Sequence, residues 1–227
     1  MFVVMVLGSR EGWHNLRFRG LLLLGLYFEK KVLVSKISKN FLEDYWWEIM
    51  RYNIAISGVG GLGILTLGRI FSRAAMFMGK KVIMSEIHGL AQRYGAVFVH
   101  VRMSDGEDLA PTIPRGKAHL LVALEPVEGL RVVDVLGKNT IAIINTNVIY
   151  PPTVAIGLED YPNVDDILSE LRSIVKNVYA FNALEIAKKY GDPRVQNTVL
   201  LGMASKIPGM PLSNDAFINA IEKEFAK

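Results

Sequence analysis

Between Ile54 and Arg102 the chain passes from a short apolar segment through a glycine-rich turn (Gly58, Gly60, Gly61, Gly63) into a long amphipathic stretch, then a second apolar segment. That order restricts the fold more than any other feature. An apolar strand that turns on glycines into a helix and returns as a strand is the building unit of an α/β sheet. Immediately after the second strand comes Ser85-Glu86-Ile87-His88-Gly89-Leu90-Ala91-Gln92-Arg93, dense in groups able to bind or to carry protons. In open α/β sheets ligands and partners dock at the carboxyl ends of strands.

The alternation continues to the C-terminus. Asn53–Ser57, Lys81–Ser85, Val97–Met103, Leu120–Leu124, Thr140–Ile144 and Val178–Phe181 read as strands. Leu62–Met78, Pro126–Leu136, a segment capped by Asn163, Ala183–Tyr190, Val195–Ser205 and a last segment capped by Ser213 read as helices. Helices between strands imply a Rossmann-like open α/β sheet, mostly parallel, with helices on both faces in a single domain.

That domain spans residues 50–227. Residues 1–49 differ: they hold all three tryptophans, no usable period and no helix caps. Met50 stands directly before the regular pattern, so the expectation is that translation starts there and that 1–49 is an over-extended reading frame. A genuine N-terminal extension is the alternative.

Composition excludes several classes. The net charge of +4 comes from scattered basic residues, with no Lys/Arg block to mark a nucleic-acid surface. Cysteine is absent, so this chain holds no disulfide, thiolate nucleophile or Cys-ligated iron–sulfur cluster. Leu21–Phe28 is far short of the ~20 apolar residues of a spanning helix. A cytoplasmic location, with no membrane and no nucleic acid among its partners, is expected.

Gly58, Gly60 and Gly63 fit the dinucleotide fingerprint, with Glu86 about where a ribose-binding acid would stand. A helix start attracts an anion by only ~0.3–1 kcal/mol when exposed. The glycines therefore fit a cofactor turn and equally a close helix-on-sheet contact. His88 and His100 lack a third ligand at metal spacing, so no metal is expected. A buried guanidinium must reach solvent, an acid or a ligand. At strand ends near the glycine turn, Arg93 and Arg102 could meet a phosphate or an acidic partner, or pair internally with Glu86 or Asp105. Ser85 and Gln92 complete the candidate set for a ligand or interface, and no nucleophile–base set stands out as catalytic.

The block Ser85–Arg93, followed by His100-Val101-Arg102, resembles the gamma-type domain, the small subunit, of 2-oxoacid:ferredoxin oxidoreductases, and within it the indolepyruvate branch. Leu121–Arg131 and Asn197–Gly202 extend the resemblance, which covers Arg51 to the C-terminus. Tyr94 departs from it, standing where many relatives carry a second glycine. The resemblance implies oxidative decarboxylation of an aryl 2-oxoacid (indolepyruvate) with coenzyme A as substrate, giving acyl-CoA, carbon dioxide and reduced ferredoxin. It further implies thiamine diphosphate and [4Fe–4S] clusters in a large alpha subunit, ferredoxin docking through the complex, and no activity of this chain alone.

The alternatives are a gamma subunit acting on pyruvate or 2-oxoglutarate, a stand-alone NAD-binding dehydrogenase, and a module that senses a nucleotide or acyl-CoA. The expected start at Met50 is checked by the intact mass of protein from its native cell: a mass covering all 227 residues ends it.

Overall fold

The computed structural model describes residues 51–89 and 95–226. The expectations for residues 1–49 and for Gln92 and Arg93 lie outside the described residues. Strand β1 (Arg51–Val59) leads through the glycine turn into α1 (Ile64–Phe77), β2 (Lys81–His88) and β3 (Ala96–Ser104). A long connection reaches β4 (Leu120–Ala123), followed by α2 (Pro126–Leu130), a 3₁₀ turn at Val133–Val135 and β5 (Ile141–Asn145). Then come α3 (Pro152–Ala155), α4 (Val164–Ile174), β6 (Asn177–Phe181), α5 (Ala183–Lys189), a 3₁₀ turn at Pro193–Val195, α6 (Gln196–Ala204) and α7 (Asn214–Phe225).

Caps set several of these boundaries. Asn163 accepts from the Asp165 N–H at the start of α4, and Ser213 from the Ala216 N–H at the start of α7. The helix expected over Pro126–Leu136 stops at Leu130. Val132, Val133 and Val135 follow, and β-branched side chains lose rotamer freedom in a helix. Gly129 lets α2 lie on the sheet: a Cβ there would stand 3.3 Å from that of Ala123.

The six strands are ordered β2-β3-β1-β4-β5-β6. β1, β4, β5 and β6 pair in parallel, whereas β3 is antiparallel to both β1 and β2. The mostly parallel sheet is therefore as expected, with β3 alone reversed and inserted where β1 and β2 of a simple βαβ unit would touch.

Apolar side chains fill both faces. On one, Ile54, Ile56, Val99 and Val101 meet Leu67, Ile70, Phe71 and Ala74 of α1, Leu200 and Leu201 of α6 and Phe217 of α7. Phe71 and Phe217 pack edge to face at 5.5 Å between centroids. On the other, Ala55, Leu121, Ala123 and Ile144 meet Val132, Val135, Ile167, Leu168 and Leu171.

Over β1 and β3 this second face is covered by the irregular connection 105–119, and polar strand residues serve its backbone. Arg102 Nη1 donates to the carbonyls of Ala110 (2.7 Å) and Thr112 (2.9 Å), and its Nε to Asn53 Oδ1 (3.0 Å). Asn53 Nδ2 donates to the Lys117 carbonyl, Ser85 Oγ to that of Pro111 and Ser104 Oγ to that of Glu107. His100 Nδ1 accepts the Ile113 N–H at 3.1 Å, and His119 Nδ1 the Asn53 N–H at 2.9 Å. Both imidazoles must be neutral to accept. Burial lowers the pKa of His100 and, aided by Lys117, brings that of His119 down to about 4.

Irregular backbone laid over a sheet has no ladder of its own, so its inward-facing carbonyls depend on these donors. Arg102 is only 2% exposed, and each hydrogen bond from a charged group contributes roughly 1.5–3 kcal/mol. Arg102→Met keeps the stem but strands the carbonyls. It should lower the unfolding free energy by about 3 kcal/mol in urea titration, and a loss under about 1 kcal/mol would show that the clamp is dispensable.

Candidate functional site

The reversal of β3 redistributes the residues singled out in the sequence. Arg102 faces Asn53 near the start of β1, and His100 faces Ala55, whereas the glycine turn follows the far end of β1. Arg102 therefore does not stand near the glycine turn. Its guanidinium is held by Asn53 Oδ1 and by the carbonyls of Ala110 and Thr112, while Glu86 is exposed on edge strand β2 and Asp105 pairs with Lys80 at 2.6 Å. Ser85, His100 and Arg102 are brought together, but around the connection 105–119. His88 ends β2 opposite Val97.

Glu86 is likewise displaced. With β3 between β2 and β1, the acid lies two strand spacings from the glycine turn, roughly 10 Å at ~4.8 Å per strand. In the dinucleotide arrangement the acid's strand adjoins the glycine strand. The turn's glycines meet local demands instead. A Cβ on Gly58 would come within 3.0 Å of Leu124 Cβ. Gly61 and Gly63 adopt φ of +100° and +81°, in the left-handed region that glycine tolerates. The Gly60 N–H donates to the Gly95 carbonyl (2.9 Å), and Asn197 Nδ2 to the Leu62 carbonyl (2.8 Å). Thus Asn197, from α6, is built into the start of α1.

A cavity of about 210 Å³ opens at the carboxyl ends of β1 and β4. Val59, Ala96 and Val127 form its walls, Tyr150 and Pro151 its rim, and Glu125 and Glu128 its acidic floor. Glu125 caps α2, where Glu128 also lies in the first turn, so both carboxylates sit at the positive end of a short helix. Glu125 is 1% exposed; its Oε2 accepts the Glu128 N–H at 3.1 Å, and its Oε1 accepts the Tyr161 hydroxyl. Glu128 Oε1 accepts from Arg131 Nε at 3.0 Å.

Burial raises the Glu128 pKa, an effect that Arg131 opposes and Glu125 reinforces. Burial and the bond to Glu125 push the Tyr161 hydroxyl well above the usual phenol range. Tyr161 also meets Tyr150 edge to face at 5.6 Å. Alongside, Asn145 ties three elements: Nδ2 donates to the Leu124 carbonyl (3.3 Å), and Oδ1 accepts the N–H of Asn147 (3.3 Å) and of Ala183 (3.0 Å).

Glu125, Glu128, Arg131 and Tyr161 were not singled out by sequence reasoning as site residues. The signal was present in Glu125-Pro126-Val127-Glu128: two acids and a proline opening a helix straight after the all-buried strand β4. Tyr161 carried none, since it reaches the floor from 36 residues away. Among the described residues no group of three or more His, Cys, Asp or Glu could hold a metal ion. The arrangement offers acceptors and a tyrosine hydroxyl that can orient a donor-bearing group; it presents no activated nucleophile.

A family model described as Pyruvate ferredoxin/flavodoxin oxidoreductase matches residues 53–227. Indolepyruvate oxidoreductase subunit IorB of Archaeoglobus fulgidus is 45% identical over 174 residues, 77% of this chain and 86% of the relative. The subunit of the same name from Methanothermobacter thermautotrophicus is 41% identical over 172 residues, 76% of this chain and 87% of the relative. Among solved structures, the keto/oxoacid ferredoxin oxidoreductase gamma subunit from Geobacter sulfurreducens PCA superposes with a TM-score of 0.53 at 24% identity, covering 76% of this chain and 85% of that one. That likeness concerns the fold.

The Tyr161 bond to Glu125 is testable on the isolated chain. Tyr161→Phe leaves a buried carboxylate oxygen short of its donor and should lower stability by about 1–3 kcal/mol in chemical denaturation, and an unchanged midpoint would show that the bond is dispensable.

Proposed function

The chain belongs to the pyruvate ferredoxin/flavodoxin oxidoreductase family, and on that premise we propose that it is the small subunit of an enzyme that oxidises aryl 2-oxoacids, indolepyruvate foremost. The reaction joins the decarboxylated acyl group to coenzyme A and passes two electrons to ferredoxin, releasing carbon dioxide. The observation that carries this reading is the 45% identity to an indolepyruvate oxidoreductase subunit across most of both chains.

In this reading thiamine diphosphate and the [4Fe–4S] clusters reside in a large partner subunit, which supplies the carbanion and electron-transfer chemistry. A chain without cysteine has no thiolate for a cluster. The contribution of this chain is binding and positioning: a preformed sheet whose carboxyl edge, with the Gly58–Gly63 turn and the cavity beside it, faces the partner. Gly58, Gly60, Gly61 and Gly63 keep that edge low enough for close approach. Glu86, exposed on β2, and His88 at its end extend the same edge. Gln92 and Arg93 follow them in sequence and belong to the same proposal.

Ser85, His100 and Arg102 act on one face of the sheet by fixing the connection 105–119. We take the domain that does this to run from residue 50 to the C-terminus. No helix among the described residues is long and apolar enough to cross a membrane, and we place the complex in the cytoplasm.

The purified chain should show no oxidation of indolepyruvate by itself. Adding the large subunit should give coenzyme A-dependent reduction of ferredoxin, faster with indolepyruvate than with pyruvate or 2-oxoglutarate. Turnover by the lone chain, or tight saturable binding of NADH to it, would overturn the subunit reading.

A further inference from the structure

The cavity floor is left incomplete by its own network. Glu128 is 6% exposed and lines the cavity, and while Oε1 is held by Arg131, Oε2 is buried with no hydrogen-bond partner among the described residues. Beside it Glu125 has both oxygens engaged. A stranded carboxylate oxygen keeps its full desolvation penalty until a donor arrives. What is missing is therefore a hydrogen-bond donor, and next to a second carboxylate a cationic one is favoured.

Size and charge narrow the occupant. A volume of about 210 Å³ lies below the ~300–1,000 Å³ of sites that enclose a drug-sized ligand, and suits a single long side chain. The 2-oxoacid and coenzyme A of the proposed reaction are both anions, and among the described lining residues the two acids outnumber the single cation Arg131. The rim is apolar where a partner would press: Tyr150 is 59% exposed, and Ile156 and Leu158 in the same β5–α4 connection are 71% and 73% exposed. An exposed aromatic beside a desolvated charged socket is the usual layout of an interface anchor, and a lysine or arginine brings an apolar stem with its charged head.

We infer that a lysine or arginine side chain of the large subunit inserts into this cavity and completes Glu128 beside Glu125, with Tyr150 packing on its stem. This rests on the subunit reading above. Bringing a cation to the floor leaves Arg131 in place on Oε1 and gives Oε2 its donor, so the pair of acids becomes balanced only in the assembled enzyme.

The test is the dissociation constant of the purified full-length chain for the large subunit, measured at low and high salt. Glu128→Gln, nearly equal in shape, should weaken binding about tenfold or more at low salt and flatten its salt dependence. Tyr150→Ala should weaken binding about tenfold with little change in salt dependence. A Glu128→Gln chain with a native circular dichroism spectrum and an affinity within twofold of wild type would overturn the inference. If that variant does not fold, Tyr150→Ala decides, and an affinity within twofold overturns it equally. Unchanged affinity with lost turnover would assign the cavity to a small molecule and also sink the socket. A wild-type chain that fails to bind the large subunit at all would remove the subunit reading itself, a result distinct from the others.

Discussion

β3 runs against its neighbours, and most of what distinguishes this molecule follows from that pairing. Antiparallel contact with β1 on one side and β2 on the other places β3 where a parallel partner of β1 would otherwise lie. The second strand is thereby pushed to the sheet's edge, with Glu86 exposed on it. The end of β1 is left flanked by β3 and β4, and at that junction, where strands on its two sides run in opposite senses, the cavity opens. The same reversal carries His100 and Arg102 away from the glycine turn. A sheet of this kind therefore has two polar ends with different work: one is spent internally, and the other remains available.

The internally spent end shows how polar residues can cover a sheet where a helix does not. α2 and α4 cover β4 and β5 by apolar contact, whereas the connection 105–119 covers β1 and β3 largely through its main chain. Its carbonyls need donors, and Asn53, Ser85, Arg102 and Ser104 provide them. Satisfied hydrogen bonds make such close contact tolerable, and the neighbouring apolar cores supply the larger share of stability. The neutral histidines belong to the same scheme, since each accepts a backbone N–H that only an uncharged ring can take.

Much of the architecture was legible in the sequence because its signals are local. Glycines after a short apolar run, Asn163 and Ser213 as caps, and alternating valines in β3 place elements without reference to the rest of the chain. Strand direction is not local. Nothing within Val97–Met103 distinguishes a strand that runs with its neighbours from one that runs against them, so Arg102 was expected near the glycine turn. The floor of the cavity was hidden for a related reason. Glu125 and Glu128 lie in sequence close to a strand end, but the hydroxyl that engages Glu125 belongs to Tyr161, which arrives from a distant segment. The glycine turn was read correctly as a tight strand-to-helix passage. Its chemical meaning depended on which strand lies next to β1, and that is a property of the whole sheet.

Arg102 grips oxygens that every amino acid carries. Because the Ala110 and Thr112 carbonyls belong to the main chain, the guanidinium fixes the path of that crossing without reading which side chains it bears. The clasp is sequence-blind. Substitutions along the outer surface of this strap can accumulate while its course across the sheet stays the same, so long as Arg102 beneath it is kept.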